Sequence, residues 1–464
     1  MSVFRKTVVI NVVGLTRGLI GEHTPFLQKW SADKEVSPVN PVIPAVTCSA
    51  QSTYLTGVYP DEHGIVGNGW YFQEECEVKF WRQSNKLVQA PKIWELAKSI
   101  DPSFTCSNMF WWYNMYSTVD YCVTPRPNYL ADGRKIPDCY SVPGDLRDEL
   151  QEELGTFPLF NFWGPNTTIK SSQWIADASI KTDEKYDPTL TLIYLPHLDY
   201  NFQRHGTQHP SVFKDLKEID GVCEQLITYY EGKGAPVIVL SEYGITDVSQ
   251  PIHLNRVLRK AGMLNIRVER GLELMDAGMS QAFAVADHQL AHVYVNDASK
   301  MEEVRALLEN TQGVEHVWDK SEQKREKLDH QRAGDFVVVA DKDSWFTYYY
   351  WLDDKKAPDF ARMVDIHKKP GYDPVEMHLN PKIPFPMPLI VWKLIKKKLG
   401  FRVLMDVTPL DANLIKGSHG RRPESVEDYP VFICKDSGAG EEPIEADQVF
   451  KLMAKELGVS SMVK

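Results

Sequence analysis

Three short apolar runs in the chain are continuous rather than alternating, and each ends in polar residues or at a glycine turn. They are TVVINVV (7–13), TLTLIYL (189–195) and PVIVL (236–240). A continuous run of this length is typical of a strand that is buried on both faces, as in parallel sheets covered by helices. The pattern therefore predicts an α/β fold with a mostly parallel sheet flanked by helices.

The segment between the second and third runs has helical spacing. Val212, Leu216, Ile219 and Val222 recur three or four positions apart, and two glycines follow the pattern. This spacing predicts a helix with one apolar face. The segment and its two flanking runs together predict a β-α-β unit.

Polar residues at or after the ends of the three runs are the first candidates for a functional site. They are Asn11, Asp199, Glu242 and Tyr243. In open parallel sheets, ligands bind beyond the carboxyl ends of the strands. We therefore expect any chemistry to be found around these side chains.

Two stretches differ in character from this strand and helix pattern. Residues from about 120 to 185 are rich in Pro, Asp and aromatic residues without a clear period, which predicts an insertion over the site. Residues 254–404 contain strand-like and helix-like segments, which predict an inserted α+β lobe and a late core strand. The predicted core is then formed by residues 1–253 and 405–435.

The charge of the chain limits its partners. Lys and Arg number 52 against 63 Asp and Glu, which gives a formal net charge of −11. General binding of nucleic acids needs clustered basic residues that release counterions from phosphates. The composition therefore argues against a nucleic-acid binder, and an acidic chain that handles phosphate would do so locally, most readily with metal ions.

Cysteines and apolar stretches bear on location. The seven cysteines are scattered and include no C-x-x-C pair, which indicates a reducing compartment and predicts a cytoplasmic protein. No apolar stretch reaches the roughly 18 residues that a membrane span needs. The nearest approach is MPLIVWKLIKKKLGF (387–401), for which a surface helix with a solvated lysine face is favoured over contact with an anionic membrane surface.

One segment places small and hydroxylated residues just ahead of a helix-compatible run. It is IPAVTCSAQSTYLTGVYPDEHGIVGNGWY (43–71). A helix N-terminus offers free N–H groups to an anion. Thr47 at this position is a candidate nucleophile if its proton is removed or masked, and a helix cap is the structural alternative.

This segment resembles the type I phosphodiesterase and nucleotide pyrophosphatase family of the alkaline phosphatase superfamily. The family pattern is a proline-led Thr or Ser nucleophile, a TG-x-x-P-x-x-H-G run and a nearby Asn. The matching residues are Thr47, Thr56, Gly57, Pro60, His63, Gly64 and Asn68. Two later segments, QRAGDFVVVAD (331–341) and IKGSHGRRP (415–423), resemble the family's late strand and its G-x-H-G loop, so the resemblance spans nearly the whole chain.

The resemblance implies an alkaline-phosphatase-like fold and a metal-dependent hydrolase of a small-molecule phosphodiester, phosphoanhydride or related phosphoryl substrate. It implies that Thr47 forms a covalent intermediate and that Asn68 donates to a phosphate oxygen. It also implies one or two divalent ions, commonly zinc, that activate the hydroxyl group. The implied ligands are Asn11, Thr47, Asp199, His205, Glu242 and His419.

The chain departs from the family pattern at the second metal site. Asn11 stands where the family has Asp, and Glu242 and Tyr243 stand where it has Asp-His. Divalent ions are held by negative oxygens and neutral imidazoles, so an amide and a neutral phenol weaken this site.

The first metal site is better preserved. It keeps Asp199 and His419, but Gln203 stands four residues after Asp199, where the family has His. His205, two positions further on, is the candidate replacement. His288 and His292 are spaced four apart and are predicted to be mainly structural, with a ligand role left open.

Two alternatives to phosphodiester or phosphoanhydride hydrolysis remain open. The same fold also acts on phosphate monoesters, sulfate esters and phosphonates. A degenerate metal site is instead compatible with a binding protein that has no catalytic activity.

Overall fold

The computed structural model describes residues 4–435, 438, 440 and 442–459. Its strands are β1 (Thr7–Val12), β2 (Glu35–Pro38), β3 (Gly69–Phe72), β4 (Glu77–Phe80), β5 (Cys106–Met109), β6 (Tyr121–Pro125), β7 (Asn128–Tyr129), β8 (Lys135–Ile136), β9 (Cys139–Val142), β10 (Leu190–Leu195), β11 (Val237–Leu240), β12 (Thr246–Asp247), β13 (Gln250–Ile252), β14 (Ile266–Glu269), β15 (Leu272–Met275), β16 (Ala282–Asp287), β17 (Leu290–Val295), β18 (Val314–Trp318), β19 (Phe336–Ala340), β20 (Ser344–Phe346), β21 (Gly417–Ser418) and β22 (Val431–Cys434).

Its α-helices are α1 (Pro25–Trp30), α2 (Thr47–Thr56), α3 (Pro60–His63), α4 (Ile93–Ile100), α5 (Leu146–Leu154), α6 (Leu159–Phe162), α7 (Lys170–Tyr186), α8 (His197–His205), α9 (Pro210–Gly232), α10 (Leu254–Lys260), α11 (Met301–Glu309), α12 (Lys320–Arg325), α13 (Pro386–Lys398) and α14 (Gln448–Glu456). Among the residues described, no helix is both long enough and apolar enough to cross a bilayer.

The central sheet has eight strands in the order β2, β22, β11, β1, β10, β5, β6 and β9. The five strands from β11 to β6 are parallel to one another. Antiparallel strands lie outside them, with β22 beside β11 and β9 beside β6. The predicted α/β fold with a mostly parallel sheet is therefore confirmed.

The three predicted strands lie side by side in this sheet. β1 is central, with Thr7 opposite Leu190 of β10 and Val8 opposite Val237 of β11. Every residue of the three strands is buried, because helices such as α7 and α9 pack on the sheet. The helix α9 connects β10 to β11, as the predicted β-α-β unit requires. The carboxyl ends of the three strands consequently meet at one edge.

A second, antiparallel sheet has the order β16, β17, β19 and β18, and α10 and α11 pack on it. Its apolar residues form a core distinct from that of the central sheet. These elements fall within residues 254–340, which belong to the predicted lobe of residues 254–404. The strand β19, predicted as a late core strand, pairs with β17 and β18 here, and the late strand of the central sheet is β22.

Residues 120–185, predicted as an insertion over the site, contribute to the central sheet. They supply β6 and β9 at its edge, and α7 packs on β10. These short strands near the edge of the sheet include a proline and polar residues, so the sequence shows no regular alternation of apolar and polar positions there. The division of the chain into domains stays a prediction.

Two glycines allow close packing beside the site. Gly57 ends α2 with φ +71°, and a Cβ there would lie 3.0 Å from Cγ of Phe450. At Gly244 a Cβ would lie 1.9 Å from the carbonyl oxygen of Asp428. Only glycine permits the first conformation without strain and the second approach without a clash.

Candidate active site

The predicted site residues come from separate elements and meet at the carboxyl edge of the central sheet. Asn11 lies near the end of β1, Glu242 follows β11, and Asp199 lies in the first turn of α8, which follows β10. Thr47 is the first residue of α2, and His419 follows β21. All five are buried.

Thr47 is linked to Asp199 through Tyr243. The Thr47 Oγ1 atom lies 3.3 Å from the Tyr243 hydroxyl oxygen, which donates to Asp199 Oδ1 at 3.2 Å. Burial raises the pKa of Asp199 to about 7 and that of the Tyr243 phenol well above its usual range. The phenol is therefore neutral, and Asp199 changes charge near neutral pH.

His419 is held as a neutral ring. Its Nδ1 lies 2.7 Å from the carbonyl oxygen of Ala45, so the proton on Nδ1 donates there. Its Nε2 lies 3.7 Å from Asp199 Oδ1, and the Tyr243 ring stacks on it. Burial lowers the pKa of His419 well below its usual range, which leaves Nε2 as an acceptor.

Glu242 is bound by two amide groups. Asn11 Nδ2 donates to Glu242 Oε1 at 2.6 Å, and Gln51 Nε2 donates to the same oxygen at 2.5 Å. Burial raises the pKa of Glu242 to about 8, so the carboxyl group is largely protonated at neutral pH. Asn11 therefore acts on Glu242 as a hydrogen-bond donor.

Asn68 is positioned by Asp287, at the end of β16. The backbone N–H of Asn68 donates to Asp287 Oδ2 at 2.8 Å, and its Nδ2 donates to Oδ1 at 3.2 Å. The Asn68 Oδ1 atom accepts from the N–H of Cys48 at 3.0 Å. Asn68 thus joins the start of α2 to the second sheet, with one amide hydrogen still available.

His288 brings the second sheet into the site. It lies in the turn between β16 and β17 with φ +63°, and its ring centre is 3.8 Å from that of His419. On its other side it stacks on Tyr372 at 3.6 Å. Tyr243, His419, His288 and Tyr372 therefore form a continuous column of four rings, called here the ring column.

The structure does not bring His205 to the other predicted ligands, which corrects that expectation. Gln203 Nε2 donates to Asp199 Oδ2 at 2.8 Å, whereas His205 is exposed and its ring stacks on His209. Residues four apart share one face of a helix, and residues six apart do not. Helix α8 therefore presents Gln203 to Asp199 and turns His205 away.

Several residues of the site were not predicted from the sequence. They are Gln51, Asp287 and Tyr372, in addition to Gln203 as a partner of Asp199. Gln51 lies four residues after Thr47 on α2, a spacing that could have signalled it. Asp287 and Tyr372 reach the site through long-range packing that no local pattern reveals. His288, for which a ligand role was left open, packs against His419.

A hydroxyl group at a helix N-terminus lies beside carboxyl groups at the ends of parallel strands, in an alkaline-phosphatase-like fold. A family model described as type I phosphodiesterase / nucleotide pyrophosphatase matches residues 7–373. This chain belongs to that family, which is a family of hydrolases.

An uncharacterized pyrophosphatase/phosphodiesterase of Schizosaccharomyces pombe is 24% identical over 277 residues, which are 57% of this chain and 49% of the relative. This chain thus spans about half the length of that curated relative.

Two solved structures share the fold. Murine ectonucleotide pyrophosphatase / phosphodiesterase 5, in an inactive form in complex with AMP, is 14% identical with a TM-score of 0.59 over 98% of this chain and 95% of its own. Phosphonoacetate hydrolase of Sinorhizobium meliloti, in complex with phosphonoacetate, is 14% identical with a TM-score of 0.61 over 98% and 96%.

The family depends on divalent metal ions, and the side chains present can be compared with that requirement. Within the described part of the chain, Asn11 Oδ1, Glu242 Oε2 and His419 Nε2 have no hydrogen-bond partner. Asn11 Oδ1 and His419 Nε2 can accept a cation as they stand, and Glu242 Oε2 can do so once the carboxyl group loses its proton. The other positions carry the amide of Gln203 and the neutral phenol of Tyr243. Two carboxyl groups and one imidazole do not fit a pair of zinc ions.

One other group has metal-ligand composition. Among the described residues, His197, Asp215 and Glu218 are the three side chains that converge with such atoms, on α8 and α9. His197 Nε2 lies 3.2 Å from Glu218 Oε2 and 3.5 Å from Asp215 Oδ1. None of the three was a predicted ligand.

Proposed function

We propose that this chain hydrolyses a phosphodiester, phosphoanhydride or related phosphoryl substrate through a covalent intermediate on Thr47. The supporting observation is the hydrogen-bonded path from Thr47 Oγ1 through the Tyr243 hydroxyl group to Asp199 Oδ1, with steps of 3.3 Å and 3.2 Å. A threonine hydroxyl is a poor nucleophile unless a nearby group accepts its proton. This path supplies such a group.

In the first step, Thr47 Oγ1 attacks phosphorus and forms a P–O bond while the bond to the leaving group breaks. The threonine proton passes to the Tyr243 oxygen, and the Tyr243 proton passes to Asp199. With its pKa raised to about 7 by burial, Asp199 is a suitable base near neutral pH. Water then hydrolyses the phosphothreonine and restores the hydroxyl group.

Two features would stabilise the charge that develops on the phosphoryl oxygens. Thr47 begins a helix of ten residues, α2, whose N-terminus carries positive dipole. The free amide hydrogen of Asn68 would donate to a phosphoryl oxygen, while its second hydrogen is held by Asp287. This is the role that the resemblance to the family implies for Asn68.

The mechanism assigns no step to a metal ion. Zinc, as one or two ions, remains a prediction from the family. Asp199 Oδ1 and His419 Nε2, 3.7 Å apart, are the pair that would hold a single ion, and the ion would supply Lewis acidity there. The cytoplasmic location also remains a prediction, based on scattered cysteines of which six are buried.

A binding protein without catalytic activity is the second candidate. It is favoured by the closed site, because Thr47 is only 3% exposed and the ring column packs beside it. Phosphate monoesters, sulfate esters and phosphonates remain alternative substrates of the same catalytic residues.

The test is an assay of the purified chain against bis-p-nitrophenyl phosphate, p-nitrophenyl phosphate and a dinucleoside polyphosphate, with and without added zinc. We expect turnover that Thr47→Ala abolishes and Thr47→Ser retains, and a phosphorylated peptide containing Thr47 after rapid acid quench. Thr53→Ala, on the same helix, controls for damage to α2. Binding of these compounds without turnover, unchanged in Thr47→Ala, would support the binding protein instead.

A further inference from the structure

Residues 379–405, called here the excursion, leave the body of the protein and return to it at one place. The N–H of Asn380 donates to the carbonyl oxygen of Val407 at 2.7 Å, which closes the base of the excursion. From residue 378 to residue 406 no residue is buried. The excursion contains α13, and none of its apolar residues packs against the three hydrophobic cores.

The excursion nevertheless has the composition of a core segment. Nine of its large apolar side chains are between 44% and 75% exposed. They are Phe385, Met387, Val391, Trp392, Leu394, Ile395, Leu399, Phe401 and Leu404. A soluble protein rarely leaves so many large apolar groups contiguous and in water unless the surface binds something.

Charge is distributed unevenly around α13. Met387, Val391 and Leu394 recur at helical spacing on one face, which Lys398 joins at the C-terminal end of the helix. Lys393 and Lys396 fall on the opposite face, Lys397 lies between the two faces, and Lys393 is paired with Asp406. The excursion carries six basic residues and no Asp or Glu, in a chain whose net charge is −11. The basic residues are Lys382, Lys393, Lys396, Lys397, Lys398 and Arg402.

A neighbouring hairpin extends the same surface. Arg402 Nη2 donates to the carbonyl oxygen of Ala131 at 2.6 Å, in the turn between β7 and β8. Tyr129, Leu130 and Ile136 of this hairpin are also exposed. The apolar surface is therefore built from two segments of the chain held together.

We propose that the excursion docks this protein on an anionic lipid bilayer. The apolar face of α13 enters the boundary between headgroups and acyl chains, and Lys396, Lys397 and Lys398 reach the anionic headgroups, whereas Lys393 is paired with Asp406. Helix α13 has 13 residues, and its length of about 20 Å is too short to cross a hydrocarbon core of about 30 Å. The helix therefore lies in the plane of the interface.

A second copy of the chain is a less suitable occupant. A two-fold contact brings the same patch of both copies together, so six basic residues would face six others. An anionic bilayer satisfies the apolar face and the positive charge at the same time.

The membrane contact would lie near the candidate active site along the chain. Tyr372, which donates to Gln203 Oε1 at 3.0 Å and stacks on His288, precedes the first residue of the excursion by seven positions. The docking proposal rests on the excursion alone and holds whether or not the site is catalytic.

The test is co-sedimentation of the full chain with vesicles of phosphatidylcholine alone or with about 30% phosphatidylserine. We expect binding to the anionic vesicles that weakens with added salt, and a blue shift of Trp392 fluorescence. Leu394→Glu should reduce binding about tenfold or more, since it places a charge in the apolar face. The matched control Val268→Glu changes an exposed apolar residue elsewhere and should bind as the wild type does.

The lysines are tested separately. Each lysine near an anionic surface contributes about 1 kcal/mol, so Lys396→Gln with Lys397→Gln should weaken binding about 25-fold. Lys29→Gln with Lys451→Gln, two exposed lysines away from the excursion, should have little effect. None of the substituted positions is buried, so unchanged melting temperatures are expected for all variants.

Wild-type protein that stays in the supernatant with anionic vesicles at low salt would overturn the proposal. So would binding that Leu394→Glu leaves unchanged. A dimer in light scattering that Leu394→Glu dissociates, without vesicle binding, would assign the surface to a second copy.

Discussion

Tyr243 and His419 lie face to face, with ring centres 3.6 Å apart and 6° between their planes. In the family pattern the position of Tyr243 holds a histidine ligand, and here a neutral phenol fills it. The hydroxyl group of this phenol contacts both Thr47 and Asp199. At the position where the family pattern has a histidine, a phenol therefore connects Thr47, the proposed nucleophile, to the carboxyl group of Asp199.

Tyr243→Phe keeps the stacked ring and removes the hydroxyl group, so it tests the proton path directly. General base catalysis contributes about 10²- to 10⁴-fold, and we expect kcat to fall by that order. KM should change little, since the phenol does not bind the substrate in the proposed mechanism. Tyr200→Phe, a buried tyrosine outside the path, is the control. Equal kcat values for Tyr243→Phe and the wild type would exclude the path.

The activity should depend on the protonation of Asp199. Burial raises its pKa to about 7, and only the ionised carboxylate accepts a proton. The expected profile of kcat/KM therefore rises through about pH 7 to a plateau at higher pH. Asp199→Asn should remove this rise together with most of the activity. If kcat/KM, assayed from about pH 5 to about pH 9, does not change with pH, Asp199 is not the base.

Stability should depend on pH through Glu242. Its pKa is raised from 4.5 in the unfolded chain to about 8 in the fold, so the protonated form is favoured by folding. This contribution is complete below about pH 4.5 and is lost as pH rises through about 8. Glu242→Gln has no ionisable group at this position and does not lose this contribution. The free energy of unfolding of the variant should therefore increase relative to that of the wild type as pH rises.

The increase in the free energy of unfolding of the variant relative to the wild type cannot exceed about 1.4 kcal/mol for each unit by which folding raises the pKa of Glu242. Urea unfolding at several pH values in the presence of a chelator measures it. A variant that instead becomes less stable than the wild type at high pH would show that folding favours the ionised carboxylate of Glu242.

Restoring the family's ligands should restore metal binding. The triple variant Asn11→Asp, Gln203→His and Tyr243→His supplies one carboxylate and two imidazoles at the altered positions. We expect the dialysed wild type to retain fewer than two equivalents of zinc and the triple variant to retain more, by elemental analysis. Asp215→Asn in both backgrounds shows how much zinc is held by the separate group around His197. Two equivalents of zinc in the dialysed wild type would contradict the conclusion that its side chains do not fit a pair of zinc ions.

Local sequence pattern was sufficient for the framework and for part of the site. Continuous apolar runs predicted β1, β10 and β11, because strands buried on both faces cannot carry polar alternation. The polar residues beyond them, Asn11, Asp199 and Glu242, meet as expected since parallel strands end at one edge.

The rest of the site depends on contacts that no local pattern encodes. Asp287 and His288 belong to a turn in the second sheet, and their approach to His419 follows from how the two sheets pack. The wrong prediction that His205 is a metal ligand has a different cause. The helical spacing from Asp199 already favoured Gln203 as its neighbour. The apolar face of α13 was visible in the sequence, but its exposure was not.

The amides that bind Glu242 also bear on how this site can have evolved. Asn11 Nδ2 lies 2.6 Å from Glu242 Oε1, so changing Asn11 alone to Asp would place two buried carboxyl groups in contact. A carboxyl group at position 11 therefore requires a compensating change at Glu242 or a cation between the two side chains. Positions 11 and 242 are coupled through this one contact, so neither can change its charge independently of the other.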